Sequence, residues 1–243
     1  MSLRSFRSDR EQYISGRATK SDSVLHLGCT NSPHVKPSWF NGDLLHKRLC
    51  AKLPARIVGM DVDPAAIEWL AKMMPTERLV LGDAHNLDKL FPTERFDLII
   101  ASDIIEHLPN PGRFLEACRS VLTPDGTLLV TTVNAFTAVR FLKALVDHEA
   151  VHPDHTAYYS LSTLSRLARM SGYKLTAAGY YACDPKLMKK GINGIVSSFV
   201  EKAACLVWPQ FSEGLIFELV PSETSVAATD FEATPDAIRV VPN

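Results

Sequence analysis

Along this chain, short apolar runs alternate with longer stretches of helical spacing, and those two periods predict its elements. Val24–Leu27 is an apolar run that stops at Gly28 and predicts a buried strand entering a turn. Residues 56–60, 79–81 and 96–101 are further runs, the last almost wholly apolar, as a central strand covered on both faces should be. Between them, 39–53, 65–74, 87–90 and 111–122 have helical spacing, and Asp63-Pro64 supplies an N-cap with proline at the first helical position. Gly126 introduces a β-rich run over 127–133, followed by helices over 136–146 and 161–170 and strands over 174–181 and 215–220. This alternation predicts an α/β protein with a doubly wound, mostly parallel seven-stranded sheet, and a helical insertion over 185–210 before the last strand. In such sheets ligands sit beyond the carboxyl ends of the strands.

One domain over 21–220 accounts for the pattern. Residues 1–20 are a charged lead-in, expected to be loose and lacking the apolar core of a secretory signal. Residues 221–243 are rich in Ser, Thr, Ala, Asp and Pro, and disorder is expected there. Residues 191–208 read as an amphipathic helix: Glu201 and Lys202 interrupt the middle, and the stretch is shorter than the ~20 apolar residues of a membrane span. Such a helix serves to dock on the core, to form a homodimer face or to touch a membrane surface peripherally.

Composition narrows the function. With 243 residues, 46% of them hydrophobic, and a formal net charge of −1, the chain has material for a full core but no broad basic field, so no nucleic-acid partner is expected. The five cysteines, at 29, 50, 118, 183 and 205, are scattered and odd in number, which suits reduced thiols and a cytoplasmic location.

The residues with chemical promise fall at strand ends. VLHLGCTNSP (24–33) keeps Gly28 but lacks the further glycines with which a dinucleotide fold cradles a pyrophosphate. Asp61 ends the second strand, where a carboxylate can accept from both hydroxyls of a ribose, although a capping or solvent-facing Asp is the plainer use. Asp83, in LVLGDAH, can accept from an adenine amine while the Ala84 amide meets a ring nitrogen; taken singly it is as well explained as a turn residue.

In order, VLHLGC (24–29), IVGMDVDPAAIEWL (57–70), LVLGDAHNL (79–87) and RFDLIIASDIIEHLPNPGRFLEACRSVLTPDGTLLVTT (95–132) resemble the successive motifs of class I S-adenosylmethionine-dependent methyltransferases. The resemblance implies a Rossmann-like methyltransferase fold with S-adenosylmethionine as cofactor. It places the methionine end against His26, Gly28, Cys29 and Thr30, the ribose on Asp61 with Val62 beside it, the adenine on Asp83 and Ala84, and the sulfonium near Ser102. S-adenosylmethionine carries no phosphate, so the lost glycines weaken a nicotinamide reading more than this one. Two departures stand out: His26 occupies a position where the family has an acidic residue, and the glycine-rich turn has become Cys29, Thr30, Asn31 and Ser32.

DIIEHL (103–108) is similar in spacing to the metal motif of some quinone-biosynthesis O-methyltransferases, which implies Asp103, Glu106 and His107 as candidate ligands. Against a metal, Glu106 and His107 need only cap and pack the loop. The segment HPDHTAYYSLSTLSRLARMSGYKL (152–175) is similar to the substrate side of family members acting on small metabolites, sugars or glycans. Within and around it His148, His152, His155, Tyr158 and Tyr159 crowd one loop; imidazole can take a proton near neutral pH and aromatic rings can wall an acceptor. O-methylation of a small acceptor or glycan is therefore expected, with His155, His152 or His107 as base. Two alternatives stay open: a methyltransferase-like binding module without catalysis, and a nicotinamide-dependent oxidoreductase.

Overall fold

The computed structural model describes residues 4–7, 9–149, 151–181 and 208–222. Its strands are β1 (Arg4–Arg7), β2 (Val24–Leu27), β3 (Ile57–Asp61), β4 (Arg78–Leu81), β5 (Phe96–Ser102), β6 (Leu122–Val133), β7 (Tyr173–Tyr181) and β8 (Gly214–Pro221). Its helices are α1 (Arg10–Ala18), α2 (Val35–Phe40), α3 (Leu45–Lys52), α4 (Pro64–Met73), α5 (Leu87–Leu90), α6 (Pro111–Val121), α7 (Ala138–Ala144) and α8 (Leu161–Met170). All eight strands join one sheet in the order β1-β7-β8-β6-β5-β2-β3-β4. Only β8 runs antiparallel, to β6 on one side and β7 on the other.

Seven of these strands are the expected ones, and the eighth corrects the expectation for the lead-in. Residues 4–7 pair in parallel with β7, Arg4 opposite Ala177 and Arg7 opposite Tyr180. Asp9 caps α1 by accepting from the Gln12 amide at 2.8 Å, and α1 buries Ile14 and Ala18 completely. The single helix expected over 39–53 is two, because the chain turns at Gly42 with φ +75 before α3 begins. Most of the 185–210 insertion, the 191–208 helix as far as Trp208, and the tail from 223 lie outside the described residues; of that insertion the structure describes the short turn Pro209–Phe211 and its lead-in.

The alternation of strand side chains explains the layers. Leu25, Leu27, Ile99 and Ala101 face α5, α6 and α8, packing with Leu87, Phe114, Leu115, Cys118, Leu164 and Ala168. Val24, Leu98, Ile100 and Leu129 face the other way, against Ile14 and Ala18 of α1 and Leu49 and Cys50 of α3. Each such Leu, Ile or Phe removed from water contributes about 1.5–3 kcal/mol. Because β2, β3, β4, β5 and β6 run parallel in register, their carboxyl ends open on one edge. Gly28, Asp61, Asp83 and Ser102 are brought to that edge. Among the described residues no helix is long and apolar enough to cross a membrane.

Candidate active site

At the end of β2, Gly28 takes φ +69, and a Cβ there would sit 3.2 Å from Ile104 Cδ1. The backbone conformation and the close approach both call for glycine. The chain then doubles over the tip of β3: the Cys29 amide donates to the Met60 carbonyl at 3.1 Å. Buried Thr30 donates to Asp61 Oδ2 from its amide at 3.0 Å and from its hydroxyl at 2.6 Å. Asp61 is itself buried, and its Oδ1 accepts from the Asp63 amide at 3.2 Å. The turn that lost its glycines thus holds the β3 carboxylate rigidly, with acceptor capacity left on Oδ1. Val62, immediately beyond, is 68% exposed, an apolar side chain bare beside a carboxylate.

Asp83 fills the turn role that sequence left open. It caps the turn Ala84–Asn86, accepting from the His85 amide at 2.9 Å and lying 2.7 Å from His85 Nδ1. It is exposed, Ala84 is half-buried, and both lie one strand beyond Asp61 at the same edge.

His26 points away from this edge. Its ring lies buried against His46 of α3, with the two Nδ1 atoms 3.1 Å apart and the ring centroids at 5.3 Å. Burial, then His46, then Arg10 push its pKa well below the ordinary imidazole range; burial brings His46 to about 4. Both rings are neutral near pH 7, so one Nδ1 donates and the other accepts.

At the end of β5, Ser102 Oγ lies 3.1 Å from Thr131 Oγ1. Asp103 has φ +53 and is fully engaged. Its Oδ1 accepts from Thr131 Oγ1 at 2.8 Å and from the Tyr181 hydroxyl at 3.0 Å, and its Oδ2 is paired with Arg10. Burial pushes the Tyr181 phenol up to about 12, so it remains a donor across the physiological range. The Arg10 guanidinium also stacks 5.6 Å from the Tyr181 ring centre. Arg10 escaped the sequence reading because it lies in the presumed lead-in, yet Asp9 ahead of Ile14 and Ala18 at helical spacing was a legible helix start.

The motif Asp103, Glu106, His107 does not assemble as a ligand set, since Asp103 turns to Arg10 while Glu106 turns inward. Glu106 accepts from Thr132 Oγ1 at 2.9 Å through Oε2, while its Oε1 is buried without a partner. Burial raises its pKa above the usual carboxylate range. The acceptor-side loop is stapled over it: the Glu106 carbonyl accepts from the Thr156 amide at 2.7 Å and its hydroxyl at 3.0 Å, and Thr156 Oγ1 also donates to the Leu108 carbonyl at 2.9 Å.

This staple gathers the histidines. The ring centroid of His107 is 4.6 Å from that of His155 and 6.4 Å from that of His152, and His155 stands 5.2 Å from Tyr158. Arg140 of α7 lies over the Tyr158 ring at 4.3 Å. Burial, then the neighbouring His107 and His152, bring the His155 pKa to about 4. His148 is exposed in the loop ahead of the cluster, outside these ring contacts, and Tyr159 is buried, bridging to Asn134.

A parallel Rossmann-like sheet with a reversed last strand and a carboxylate clasped at the β3 tip defines the class I methyltransferase architecture. Solved structures share that fold: a SAM-dependent methyltransferase from Archaeoglobus fulgidus aligns at TM-score 0.56 and 15% identity over 86% of this chain and 94% of its own. The magnesium protoporphyrin IX methyltransferase of Synechocystis PCC 6803, solved with bound SAH, aligns at 0.54 and 13% over 87% and 83%. The Methyltransferase domain family matches residues 5–178, and the chain belongs to that family.

Among relatives by sequence, a Mycolicibacterium smegmatis protein named "Probable S-adenosylmethionine-dependent methyltransferase" is 25% identical over 220 residues, 89% of this chain and 76% of its own. The Ubiquinone biosynthesis O-methyltransferase of Bradyrhizobium sp. (strain ORS 278) is 34% identical over 86 residues. That match covers 34% of this chain and spans about a third of the relative, 33%.

Proposed function

We propose that this protein transfers the sulfonium methyl of S-adenosylmethionine to a hydroxyl oxygen of a small metabolite, sugar or glycan. The observation that carries the reading is the Asp61 carboxylate, buried at the β3 tip and aimed by Thr30 beside the left-handed turn at Gly28. A ribose donates its paired hydroxyls to that carboxylate, bare Val62 offers an apolar wall for the adenine, and Ala84 offers its amide to the base edge. The methionine end carries a carboxylate, and the Arg10 guanidinium, held in place by Asp103, is its complement. Ser102 then lies next to the sulfonium.

The acceptor enters over the loop of His107, His152, His155 and Tyr158. Methyl transfer from a sulfonium is an in-line displacement with a good leaving group, so most of the acceleration comes from holding the hydroxyl and the methyl in line, an effect worth up to ~7–11 kcal/mol. Removing the hydroxyl proton adds ~10²–10⁴-fold. His155, with a pKa near 4, is a weak proton acceptor. His107 is better prepared: its Nδ1 lies 3.0 Å from the Asp154 carbonyl, which can only accept, so the lone pair is on Nε2. Relatives named as O-methyltransferases support oxygen as the acceptor atom.

Calorimetry with S-adenosylhomocysteine tests the reading. Micromolar affinity that is lost in Asp61→Asn is expected. Absence of heat at millimolar ligand would instead support the binding module without catalysis, and NADH binding in its place would support the oxidoreductase.

A further inference from the structure

Among the described residues, Glu106, His107 and His155 each offer one ligand-capable atom, and those atoms lie within 4.8 Å of one another. The two loops that supply them are held together by the Thr156 hydrogen bonds to Glu106 and Leu108. Two further observations point to a missing positive partner. Glu106 is 0% exposed, yet Oε1 has no donor; a buried acceptor left in this way is costly. His155 Nδ1 is likewise buried without a partner. The His107 ring is fixed by the Asp154 carbonyl in the tautomer that leaves Nε2 free, the outer support that metal-binding imidazoles commonly have.

We propose that Glu106, His107 and His155 bind one divalent transition-metal ion of the zinc and cobalt class. Asp103, the ligand that the DIIEHL spacing suggested, takes no part, because Arg10, Thr131 and Tyr181 occupy its oxygens. The donor set decides the ion: two imidazoles and one carboxylate suit zinc or cobalt with a coordination position left open, whereas magnesium prefers oxygen donors and its own waters. Metal–ligand bonds of ~2.0–2.2 Å place the donors of a tetrahedral ion roughly 3.4 Å apart, so donors now within 4.8 Å of one another need to close by up to about 1.4 Å. An ion here would acidify a hydroxyl bound at the open position, taking over from the His107 lone pair. The inference rests on the histidine loop being the acceptor end of the proposed transferase.

The experiment is a cobalt(II) titration of the metal-stripped full chain, followed by visible absorption and by melting temperature. A ligand-field band saturating near one equivalent is expected, with a raised melting temperature and no displacement by millimolar magnesium. His155→Ala and Glu106→Gln should each weaken cobalt binding at least tenfold, and Asp103→Asn should bind as the parent does. If Glu106→Gln fails to fold, His155→Ala decides, because His155 lies on a surface loop. The proposal is overturned if the parent gives no band, if His155→Ala binds cobalt as the parent does, if magnesium displaces the ion, or if Asp103→Asn loses it. Calorimetry with S-adenosylhomocysteine is read separately: normal cofactor affinity without a cobalt band removes the metal and leaves the transferase standing.

Discussion

At the scale of single residues, the proposed cofactor site makes its sharpest predictions at Asp61, at Thr30 beside it and at Arg10. Asp61 is positioned by Thr30, so Thr30→Val, which keeps the amide bond but loses the hydroxyl one, should loosen the carboxylate and weaken S-adenosylhomocysteine binding several-fold, while Asp61→Asn, which loses charge-assisted hydrogen bonds worth about 1.5–3 kcal/mol, should weaken it roughly ten- to hundredfold. Equal affinities for the parent and both variants would refute the ribose role. Arg10 makes a sharper case, since removing it leaves Asp103 without its cation. Arg10→Met should raise the dissociation constant for S-adenosylhomocysteine at least tenfold, and should affect adenosine, which lacks the methionine end, far less. A matching loss for both ligands would show that Arg10 supports the fold rather than the methionine. Asp61 was legible because a carboxylate at a strand end before a capped helix is a local pattern. The Arg10–Asp103 pair was not, because its partners are 93 residues apart and nothing local links them.

At the scale of elements, the N-terminal strand and helix are structural members of the fold. α1 covers the sheet face made by Val24, Leu98 and Ile100, and Arg17 with Tyr13 ties it to Glu218 of β8, at 2.7 Å in both contacts. Deleting residues 1–18 uncovers that face and removes Arg10 from the site. A melting temperature lower by roughly 10 °C is expected, from a few kcal/mol of lost burial at ~2–4 °C per kcal/mol, together with loss of cofactor binding. An unchanged melting curve would mean that the segment only rests on the sheet. Charge density along 1–20 concealed these elements, since polar residues dominate and the buried positions are few. The split of 39–53 into α2 and α3 was concealed differently: the apolar spacing continues across Gly42, and only the backbone turn there breaks it.

For the whole molecule, the buried imidazole pair sets a pH limit. His26 and His46 have native pKa values below the unfolded value of ~6.5, His46 at about 4. The unfolded chain therefore takes up protons that the native protein refuses, and stability present above pH ~6.5 is lost as the pH falls towards 4, with a limiting slope of about 1.4 kcal/mol per pH unit for each histidine. Urea midpoints should fall steadily between pH 7 and 4.5, and His46→Asn should remove about a third of the slope, since His155, also brought to about 4, adds to the pair. Midpoints that hold constant over this interval would show that the pair is not sealed from protons. By itself the sequence determined the α/β class, the alternation of strands and helices from residue 24 onward apart from the break at Gly42, and the strand-end positions of Gly28, Asp61 and Ser102, because periodicity, capping and turn chemistry act over a few residues. Tertiary structure decided which side chains meet. It turned His26 to His46, gave Asp103 to Arg10, and brought His155 to Glu106 and His107, because strand register and loop docking set those distances and leave no trace in local spacing.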